Sequence, residues 1–449
     1  MSNTNPHRID MADAADLGFF GGESLTRHGT LSRRTATWED NAETHTRSSD
    51  GSLIERDGVL KSAGSNVPRV EWVDTDSDGT RDTPTLLLEG ARTNGWTYSE
   101  QVDNAAWSKI RLTVSANAVV APDGTTTADK FVEDGTADNT HSLRRSVPTL
   151  TDNTAQSISC YAKAGERTML YITSLSKAGT TRYSYFNLST GAVGTSQHNS
   201  NNDGKATIED IGGGWYRCSI SGWDSASGGS APNHDFGMAT VDGQNWYGGD
   251  SASGLYVWGV QVEVDQPFVS SYIQTVASTV TRNADSMYFD WPFPPQEMTV
   301  YVKFVTLGTG TYNPGGAGSA GGIVYIGSAT DGTDTRLMIG ARGDAAGFRM
   351  EYDDGTTSSD SQMTTTPAIG DTIELRATLS ASAVAQLHES INGGSEGSGG
   401  TGSASTFTAA FAGERCYINS RGSTIPAFAE YHVVKIARGT KTMAQMRTL

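Results

Sequence analysis

The sequence predicts a mostly β protein in which an N-terminal extended arm and hairpin precede two antiparallel β-sandwiches. Short β-branched and aromatic runs alternate with turns rich in Gly, Asp, Asn, Ser and Thr, and 52 of the 449 residues are glycine. This pattern is typical of sandwiches and barrels. Helix signals are confined to residues 10–17 and 442–447. A chain of this length exceeds one ordinary core, which predicts two or three domains.

The first segment, residues 1–95, holds few core-forming runs and is interpreted as an arm plus a hairpin. Two apolar runs, one at Trp72 and one over residues 86–88, flank a turn. Three charged side chains lie beside these runs: Arg69, Glu89 and Arg92. Because an unpaired buried charge is costly, we expect all three to pair with partners and to fix the junction between the arm and the first sandwich.

The turn between the two runs is rich in carboxylates and fits two interpretations. Its acidic residues have the spacing of a calcium loop, with Gly79 at the tight turn; they are Asp74, Asp76, Asp78 and Asp82. However, Thr85 stands where such a loop has a bidentate Glu, and no helix pattern flanks it. Asp and Gly also favour a hairpin tip, so a plain turn is preferred and calcium is the alternative.

The second segment, residues 96–284, is predicted to form the first sandwich. Five runs have strand composition: Ser157–Lys163, Thr168–Thr173, Tyr183–Leu188, Trp215–Gly222 and Leu255–Val264. The last run alternates, and the set that holds Trp258 and Val260 is predicted to face the core. Cys160 and Cys218 lie singly in apolar runs and are interpreted as buried free thiols. A disulfide between them is the alternative if their strands are neighbours.

The third segment, residues 285–449, is predicted to form the second sandwich. Its strand-like runs are Met298–Thr306, Ile323–Gly327, Arg336–Gly340, Phe348–Tyr352, Thr372–Leu379, Cys416–Ser420 and Glu430–Ala437. The glycine-rich stretch 392–402 has the composition of a flexible linker. Because strand-like runs flank it on both sides, we interpret it as a long loop within the sandwich.

The charge balance narrows the classes of partner. The formal net charge is -17 and the isoelectric point is about 4.8, which argues against nucleic acid and anionic membranes, since both favour Lys/Arg clusters. No apolar run reaches the length of about 18 residues that a transmembrane helix needs, so membrane insertion is not expected. The N-terminus has neither the basic nor the apolar region of a signal peptide.

Three aromatic residues are the candidate glycan-binding residues. Trp246 and Tyr247 lie in a polar, glycine-rich segment, and Trp223 follows a strand-like run. Sugar sites combine aromatic rings with nearby hydrogen-bonding side chains. The alternative is that these rings cap the ends of the sandwich core. Trp215 and Trp258 lie within strand-like runs and are interpreted as core.

Catalytic motifs are absent from the sequence. The eight histidines are dispersed, and no metalloprotease, nucleophile-elbow or Walker spacing is present. Acid pairs such as Asp353 and Asp354 suit a glycosidase, but they are uninformative among 50 acidic residues. We therefore predict that the protein is not an enzyme and needs no cofactor or metal.

Four groups of short stretches together resemble tailed-bacteriophage virion proteins of the tail-fibre or minor structural type. They are residues 34–38 with 57–60 and 66–69; 86–94; 99–100 with 106–109 and 121–130; and 213–218 with 258–263 and 271–273. The resemblance implies a carbohydrate-binding-like jelly roll in the middle of the chain. The stretches 387–394 and 417–422 resemble a concanavalin/laminin-G-like sandwich. The likeness begins near residue 32, which leaves residues 1–31 as the expected docking segment.

This resemblance implies a non-enzymatic virion structural protein on the surface of a phage tail or capsid. It would project as a fibre or spike, dock on other virion proteins through the arm of residues 1–95, and bind host-surface polysaccharide. Symmetric particles imply a homo-oligomer, most simply a trimer. One alternative is a capsid decoration or head-fibre protein without a receptor role, and another is a glycan depolymerase. A secreted bacterial adhesin is disfavoured by the missing signal peptide.

Overall fold

The chain is almost entirely β in the computed structural model. The residues that the structure describes are 8–10, 17–19, 43–73, 80–81, 83–87, 89–146, 155–175, 181–197, 205–224, 233–264, 269–290, 297–306, 321–327, 336–341, 347–353, 358–365, 372–402, 415–418, 429–438 and 442–448. They contain 32 strands and one short helix. Within them, no helix has the length and apolar character needed to cross a membrane.

The strands are numbered in chain order. The first are β1 Arg8–Asp10, β2 Leu17–Phe19, β3 Glu43–Thr46, β4 Gly51–Ile54, β5 Leu60–Ala63, β6 Arg69–Val73, β7 Thr83–Leu87, β8 Arg92–Asn94, β9 Ser108–Ile110, β10 Leu112–Val119, β11 Ala128–Glu133 and β12 His141–Ser146. Next are β13 Ala155–Lys163, β14 Met169–Leu175, β15 Thr181–Asn187, β16 Ala192–Ser196, β17 Lys205–Gly212, β18 Trp215–Asp224, β19 Asn233–Ala239, β20 Gly254–Glu263, β21 Val280–Arg282 and β22 Ser286–Asp290. The last are β23 Met298–Thr306, β24 Gly321–Gly327, β25 Arg336–Ala341, β26 Phe348–Asp353, β27 Ser358–Gln362, β28 Thr372–Leu379, β29 Ala385–Ile391, β30 Gly397–Ser398, β31 Arg415–Ile418, β32 Ala429–Arg438 and the helix α1 Met443–Thr448.

The chain divides into two compact units. Unit 1 includes Asp50–Ala63 and Arg92–Arg282, and unit 2 includes Asn5–Ser49, Gly64–Ala91 and Asn283–Leu449. Each unit is built on two large sheets, and their strand pairs are antiparallel except where β1 and β2 meet β32. The predicted fold class, mostly β with two antiparallel sandwiches, is confirmed.

Unit 1 is a sandwich of two six-stranded sheets. Sheet 1 has the order β10-β11-β20-β13-β18-β17, and sheet 2 has the order β16-β15-β14-β19-β12-β9. Alternate side chains of both sheets meet in one buried core, for example Phe131 and Ile158 from sheet 1 with Leu170 and Phe236 from sheet 2. Burial of these apolar side chains stabilises the sandwich, at about 1.5–3 kcal/mol for each large one.

Unit 2 has a sheet of nine strands and a sheet of seven. Sheet 3 has the order β30-β29-β28-β23-β32-β1-β7-β6, with β2 also on β32, and sheet 4 has the order β27-β26-β25-β24-β31-β22-β3. The hydroxyls of Ser359 and Ser361 accept hydrogen bonds from the backbone N–H groups of Ala385 and Leu387, both at 2.8 Å. These bonds join β27 of sheet 4 to β29 of sheet 3.

The structure divides residues 1–95 differently from the predicted arm plus hairpin. Strands β6 and β7 pair with each other, as predicted, and they form the edge of sheet 3. The hairpin β4–β5 belongs to unit 1, where Ile54 and Leu60 pack with Trp215 and Trp258. The described strands of this segment are therefore parts of both units. Strand β3 pairs with β22 in unit 2, whereas β8 pairs with β21 in unit 1, and both partners lie about 190–240 residues further along the chain.

Strand β20 differs from the strict alternation that the sequence predicts. Trp258 belongs to a cluster with Tyr161 and Tyr272, whereas Val257 and Val260 both enter the core between sheets 1 and 2. Gly259 has φ +60°, and an added Cβ would lie 2.8 Å from the ring of Tyr161. This β-bulge reverses the faces of the strand, so the prediction is right after Gly259 and wrong before it.

A C-terminal helix, a glycine-rich loop and two cysteines are further features that the sequence predicts. The helix expected at residues 442–447 is α1, and part of the helix expected at 10–17 lies outside the described residues. The glycine-rich stretch 392–402 begins with a tight turn in which Asn392 and Gly393 both have positive φ, and it returns as the edge strand β30. Cys160 and Cys218 lie directly opposite each other in β13 and β18 and are buried free thiols.

Candidate functional site

The predicted pairing charges Arg69 and Glu89 lie in a buried ion cluster of unit 2. Arg69 Nη1 lies 2.7 Å from Glu89 Oε2, and Arg69 Nη2 donates to Asp285. Asp285 also accepts from Arg47 Nη1 at 2.8 Å and from His45 Nε2 at 3.0 Å. Although burial opposes the charge, the carboxylates of Asp285 and Glu89 raise the pKa of Arg69. This cluster joins three separate chain segments and is structural.

The third predicted pairing charge, Arg92, belongs to a different cluster in unit 1. Its Nε lies 3.8 Å from Glu263 Oε1, and the backbone N–H and hydroxyl of Ser270 donate to the same carboxylate at 2.7 and 2.5 Å. Burial raises the pKa of Glu263, and Arg92 opposes this effect. Arg92 therefore pairs with a carboxylate of unit 1, whereas Arg69 and Glu89 pair with each other in unit 2.

The acidic turn that resembles a calcium loop lies outside the described residues, since residues 74–79 and 82 are not described. Within the part of the chain that the structure describes, no group of three or more His, Cys, Asp and Glu side chains is arranged to hold a metal ion.

The three aromatic candidates have different surroundings. Trp246 is 56% exposed. Tyr247 is buried, donates its hydroxyl to Glu133 Oε2 at 2.7 Å, and lies under the guanidinium of Arg167 at 5.2 Å. It is therefore unavailable to a ligand, contrary to the prediction from its polar segment. The backbone of Trp223 lies at the end of β18, and its side chain is outside the described parts.

The outer face of sheet 2 carries a cluster of aromatic rings that the sequence analysis did not single out. In β14 the side chains alternate, so that Leu170 enters the core and Tyr171 points away from it. Tyr171 lies opposite Tyr185 of β15, and Tyr183 follows on the same face because strand side chains repeat every two residues. The ring centroids are 6.0–6.4 Å apart, and the rings of Tyr183 and Tyr185 are stacked.

A paired charge lies beside these rings on the same face. Arg144 of β12 is directly opposite Asp235 of β19, and its Nε and Nη2 donate to the two carboxylate oxygens at 2.6 and 2.8 Å. The hydrogen bonds from Arg144 to Asp235 raise the pKa of that guanidinium. Asp235 is tied to the next strand by its backbone N–H, which donates to Thr173 Oγ1 at 2.8 Å. We call this set the tyrosine face; its members are Arg144, Tyr171, Tyr183, Tyr185 and Asp235.

Burial differs sharply across the tyrosine face. Tyr171 and Tyr185 are buried, whereas Tyr183 and Arg144 are partly exposed. Burial raises the pKa of Tyr185 to about 12, with further contributions from Tyr183 and Asp242. Tyr183 is therefore the accessible ring of the three, and it packs against the buried rings of Tyr171 and Tyr185.

The loop of residues 241–247 brings Trp246 to this region. Asp242 anchors the loop to the end of β16 by accepting hydrogen bonds from the backbone N–H and the hydroxyl of Thr195 at 2.7 and 2.9 Å. Asn245 lies close to the hydroxyls of both Tyr171 and Tyr185 and partly opposes the rise that burial causes in the pKa of each. Trp246 is the next residue of this loop, and its side chain is 56% exposed.

A second polar region of unit 1 is a pocket of about 310 Å³. Its lining is Glu100, Gln101, Asp103, Asn104, Asn117, Thr127 and Asp129. Asp129 is buried and accepts from the backbone N–H groups of Val102 and Asn117 at 3.0 and 2.9 Å. Burial raises the pKa of Asp129 to about 6 and also raises that of Glu100, which accepts from Tyr272 and Gln274. The protein's own donors thus hold both carboxylates.

The sequence contained one signal for the tyrosine face. Tyr183 and Tyr185 are two residues apart within a predicted strand, which places both on one face. The contribution of Tyr171 and the Arg144–Asp235 pair depends on the order of strands in sheet 2. That order is set by contacts far apart in the chain and is not visible in any local pattern.

No family model and no curated protein matches the chain. The solved structures that are similar to it include domains LG4-5 of the mouse laminin alpha1 chain. That comparison covers 68% of this chain and 88% of the laminin chain, with 10% sequence identity and a TM-score of 0.22. The fold assignment rests on the sheets described above.

Proposed function

We propose that the protein is a non-enzymatic structural protein of a tailed-bacteriophage virion that binds host-surface glycans. The observation that carries the binding role is the tyrosine face, an aromatic cluster beside a charge pair on the outside of a β-sandwich. The virion assignment is supported by the sequence resemblance over residues 32 to the end and by the acidic balance of the chain, with net charge -17.

The tyrosine face suits a sugar for chemical reasons. A pyranose ring presents C–H groups on its faces, which pack on an aromatic ring, and hydroxyls at its edge, which need directed partners. Tyr183 and Trp246 offer partly and largely exposed rings. The Arg144–Asp235 pair, fixed across two strands, offers both donors and acceptors for adjacent hydroxyls.

The virion context supplies the remaining partners. We propose a homo-oligomer, most simply a trimer, which projects from the tail or capsid surface and docks on other virion proteins through its N-terminal segment, of which β1 and β2 lie in sheet 3. Weak glycan sites repeated on such an assembly gain avidity without any new contact. Analytical ultracentrifugation of the full chain tests the trimer, and a monomer at virion-like concentration contradicts it.

The binding role is tested with single substitutions on the face. We expect Tyr183→Ala and Trp246→Ala each to weaken binding to polysaccharides of the host surface at least about tenfold, which corresponds to about 1.4 kcal/mol. Tyr256→Ala is the matched control, because this partly buried tyrosine lies on β20 of sheet 1. Equal binding by all three variants and the wild type in surface plasmon resonance contradicts the proposal.

Two alternatives remain distinct. If the protein is a capsid decoration protein without a receptor role, no host glycan binds to it, and cryo-electron microscopy of the intact virion locates it on the capsid or the tail.

A depolymerase would use the carboxylates of the acidic pocket, Glu100 and Asp129. We favour binding without cleavage because both are held by internal donors. Release of new reducing ends from host polysaccharide, abolished by Glu100→Gln, would establish the enzyme instead.

A further inference from the structure

The tyrosine face combines few charges with several hydroxyl and amide groups. We propose that it selects uncharged glycan segments, recognised through their hydroxyls, over segments that carry uronate or other anionic groups. This inference rests on the proposed glycan-binding function and specifies its ligand class.

The charged groups that border the face include more carboxylates than cations. Among the described residues these groups are Arg144, Asp235 and the loop residue Asp242, so one cation and two carboxylates leave a net charge of -1. Arg182 alternates with Tyr183 along β15 and therefore lies on the opposite side of the sheet.

The single cation is already neutralised. Arg144 donates hydrogen bonds from Nε and Nη2 to the two oxygens of Asp235. This is the bidentate geometry in which an arginine would otherwise bind a ligand carboxylate. An anionic sugar would have to displace Asp235, which would leave a largely buried carboxylate without its cation. By contrast, a neutral hydroxyl can accept from the remaining Nη1 donors and donate to the remaining lone pairs of Asp235 without breaking the pair.

Two buried hydroxyls lie within the face, between β12, β19 and β14. Tyr171 OH and Ser142 Oγ are both buried, and the Tyr171 hydroxyl lies close to Ser142 and to Asn245. Both strand positions flank Gly237, which is paired with Tyr171 on one side and with Ser142 on the other. A Cβ at Gly237 would come 2.5 Å from Tyr171 OH, so this glycine makes the room in which the two hydroxyls lie.

The test compares one polymer with and without its charge. A uronate-containing polysaccharide from the host surface is used natively and after chemical reduction of its carboxyl groups to primary alcohols, and both are titrated against the full-length protein. We expect the reduced form to bind at least about tenfold more tightly. We also expect its affinity to change less than about twofold between 50 and 500 mM salt, since an uncharged ligand is not screened.

Single substitutions distinguish the preference for neutral sugars from glycan binding itself. Asp242→Asn is expected to raise affinity for the native acidic polymer about two- to fivefold, whereas Asp57→Asn, an exposed turn acceptor in the β4–β5 hairpin, leaves it unchanged. Tighter binding of the acidic polymer, lost in Tyr183→Ala, would overturn the preference for neutral sugars and leave the glycan-binding function intact. If neither polymer depends on Tyr183, the proposed function fails together with the inference.

Discussion

Asp285 is the residue on which the buried ion cluster of unit 2 depends. Its carboxylate accepts from Arg47, Arg69 and the backbone N–H of Glu89. Asp285→Ala removes the acceptor that two buried guanidinium groups share, and loss of one partner from such a cluster typically costs about 3–5 kcal/mol. We expect the free energy of unfolding, measured in urea, to fall by that amount.

The control is an ion pair at the surface. Glu166 contacts Lys130 at 2.8 Å and is about half exposed, and exposed pairs contribute about 0–1 kcal/mol. Glu166→Ala is therefore expected to change stability little. If Asp285→Ala is no more destabilising than Glu166→Ala, the cluster is not the structural centre that its burial indicates.

Asp129 gives the stability of unit 1 a characteristic pH dependence. Burial raises its pKa from 3.8 to about 6, so between these values the folded state binds more protons than the unfolded state. The stabilising contribution is present below about pH 4 and is lost as the pH rises towards 6. Asp129→Asn removes this titration. We expect the stability difference between wild type and variant to shrink over that interval, and a pH-independent difference in urea unfolding contradicts the assignment.

At the scale of the element, the tyrosine face requires a glycine in β19. A Cβ at Gly237 would lie 2.4 Å from the ring of Tyr171, so Gly237→Ala forces that ring to move and is expected to destabilise the protein by about 1–3 kcal/mol. Gly400→Ala is the control, because a Cβ there meets nothing within 4 Å. Thermal unfolding of both variants measures the difference in stability. If Gly237→Ala is as stable as the wild type, the Tyr171 ring can move without cost and the prediction is wrong.

Strands themselves were predictable because their side chains follow local rules. β23 and β28 have the predicted bounds, and seven of the nine residues of β23 are β-branched or aromatic, the composition that strands favour. The orientation of β20 was missed in its first half because Gly259 introduces a bulge. A glycine inside a strand often marks a bulge, and the strict alternation was predicted without one. The exposure of Trp246 agrees with its polar loop, whereas the burial of Tyr247 involves Glu133, which lies in a distant strand.

At the scale of the molecule, the chain alternates between the two units before either is complete. Residues 50–63 belong to unit 1, residues 64–91 to unit 2 and residues 92–282 to unit 1 again. Composition predicts boundaries from local changes along the chain, and so it indicated one arm for residues 1–95. It could not reveal that Asp285 would meet Arg47 and Arg69, because those contacts span more than 200 residues.

This alternation makes the boundary of unit 1 testable with two fragments. Fragment 50–282 keeps the β4–β5 hairpin and β8, whereas fragment 96–282 loses both. The shorter fragment lacks Ile54 and Leu60 from the core around Trp258. It also lacks Asn94, whose side chain donates to the carbonyls of Val260 and Ile273 at 3.2 and 2.9 Å.

The loss from the shorter fragment is expected to be large. Removing one buried aliphatic side chain typically costs about 2–5 kcal/mol, and the buried amide adds a further loss. We expect fragment 50–282 to unfold cooperatively in urea and fragment 96–282 to be at least about 4 kcal/mol less stable. Equal midpoints would show that unit 1 is complete from residue 96, as its composition alone indicates, and that the hairpin is an accessory to the sandwich.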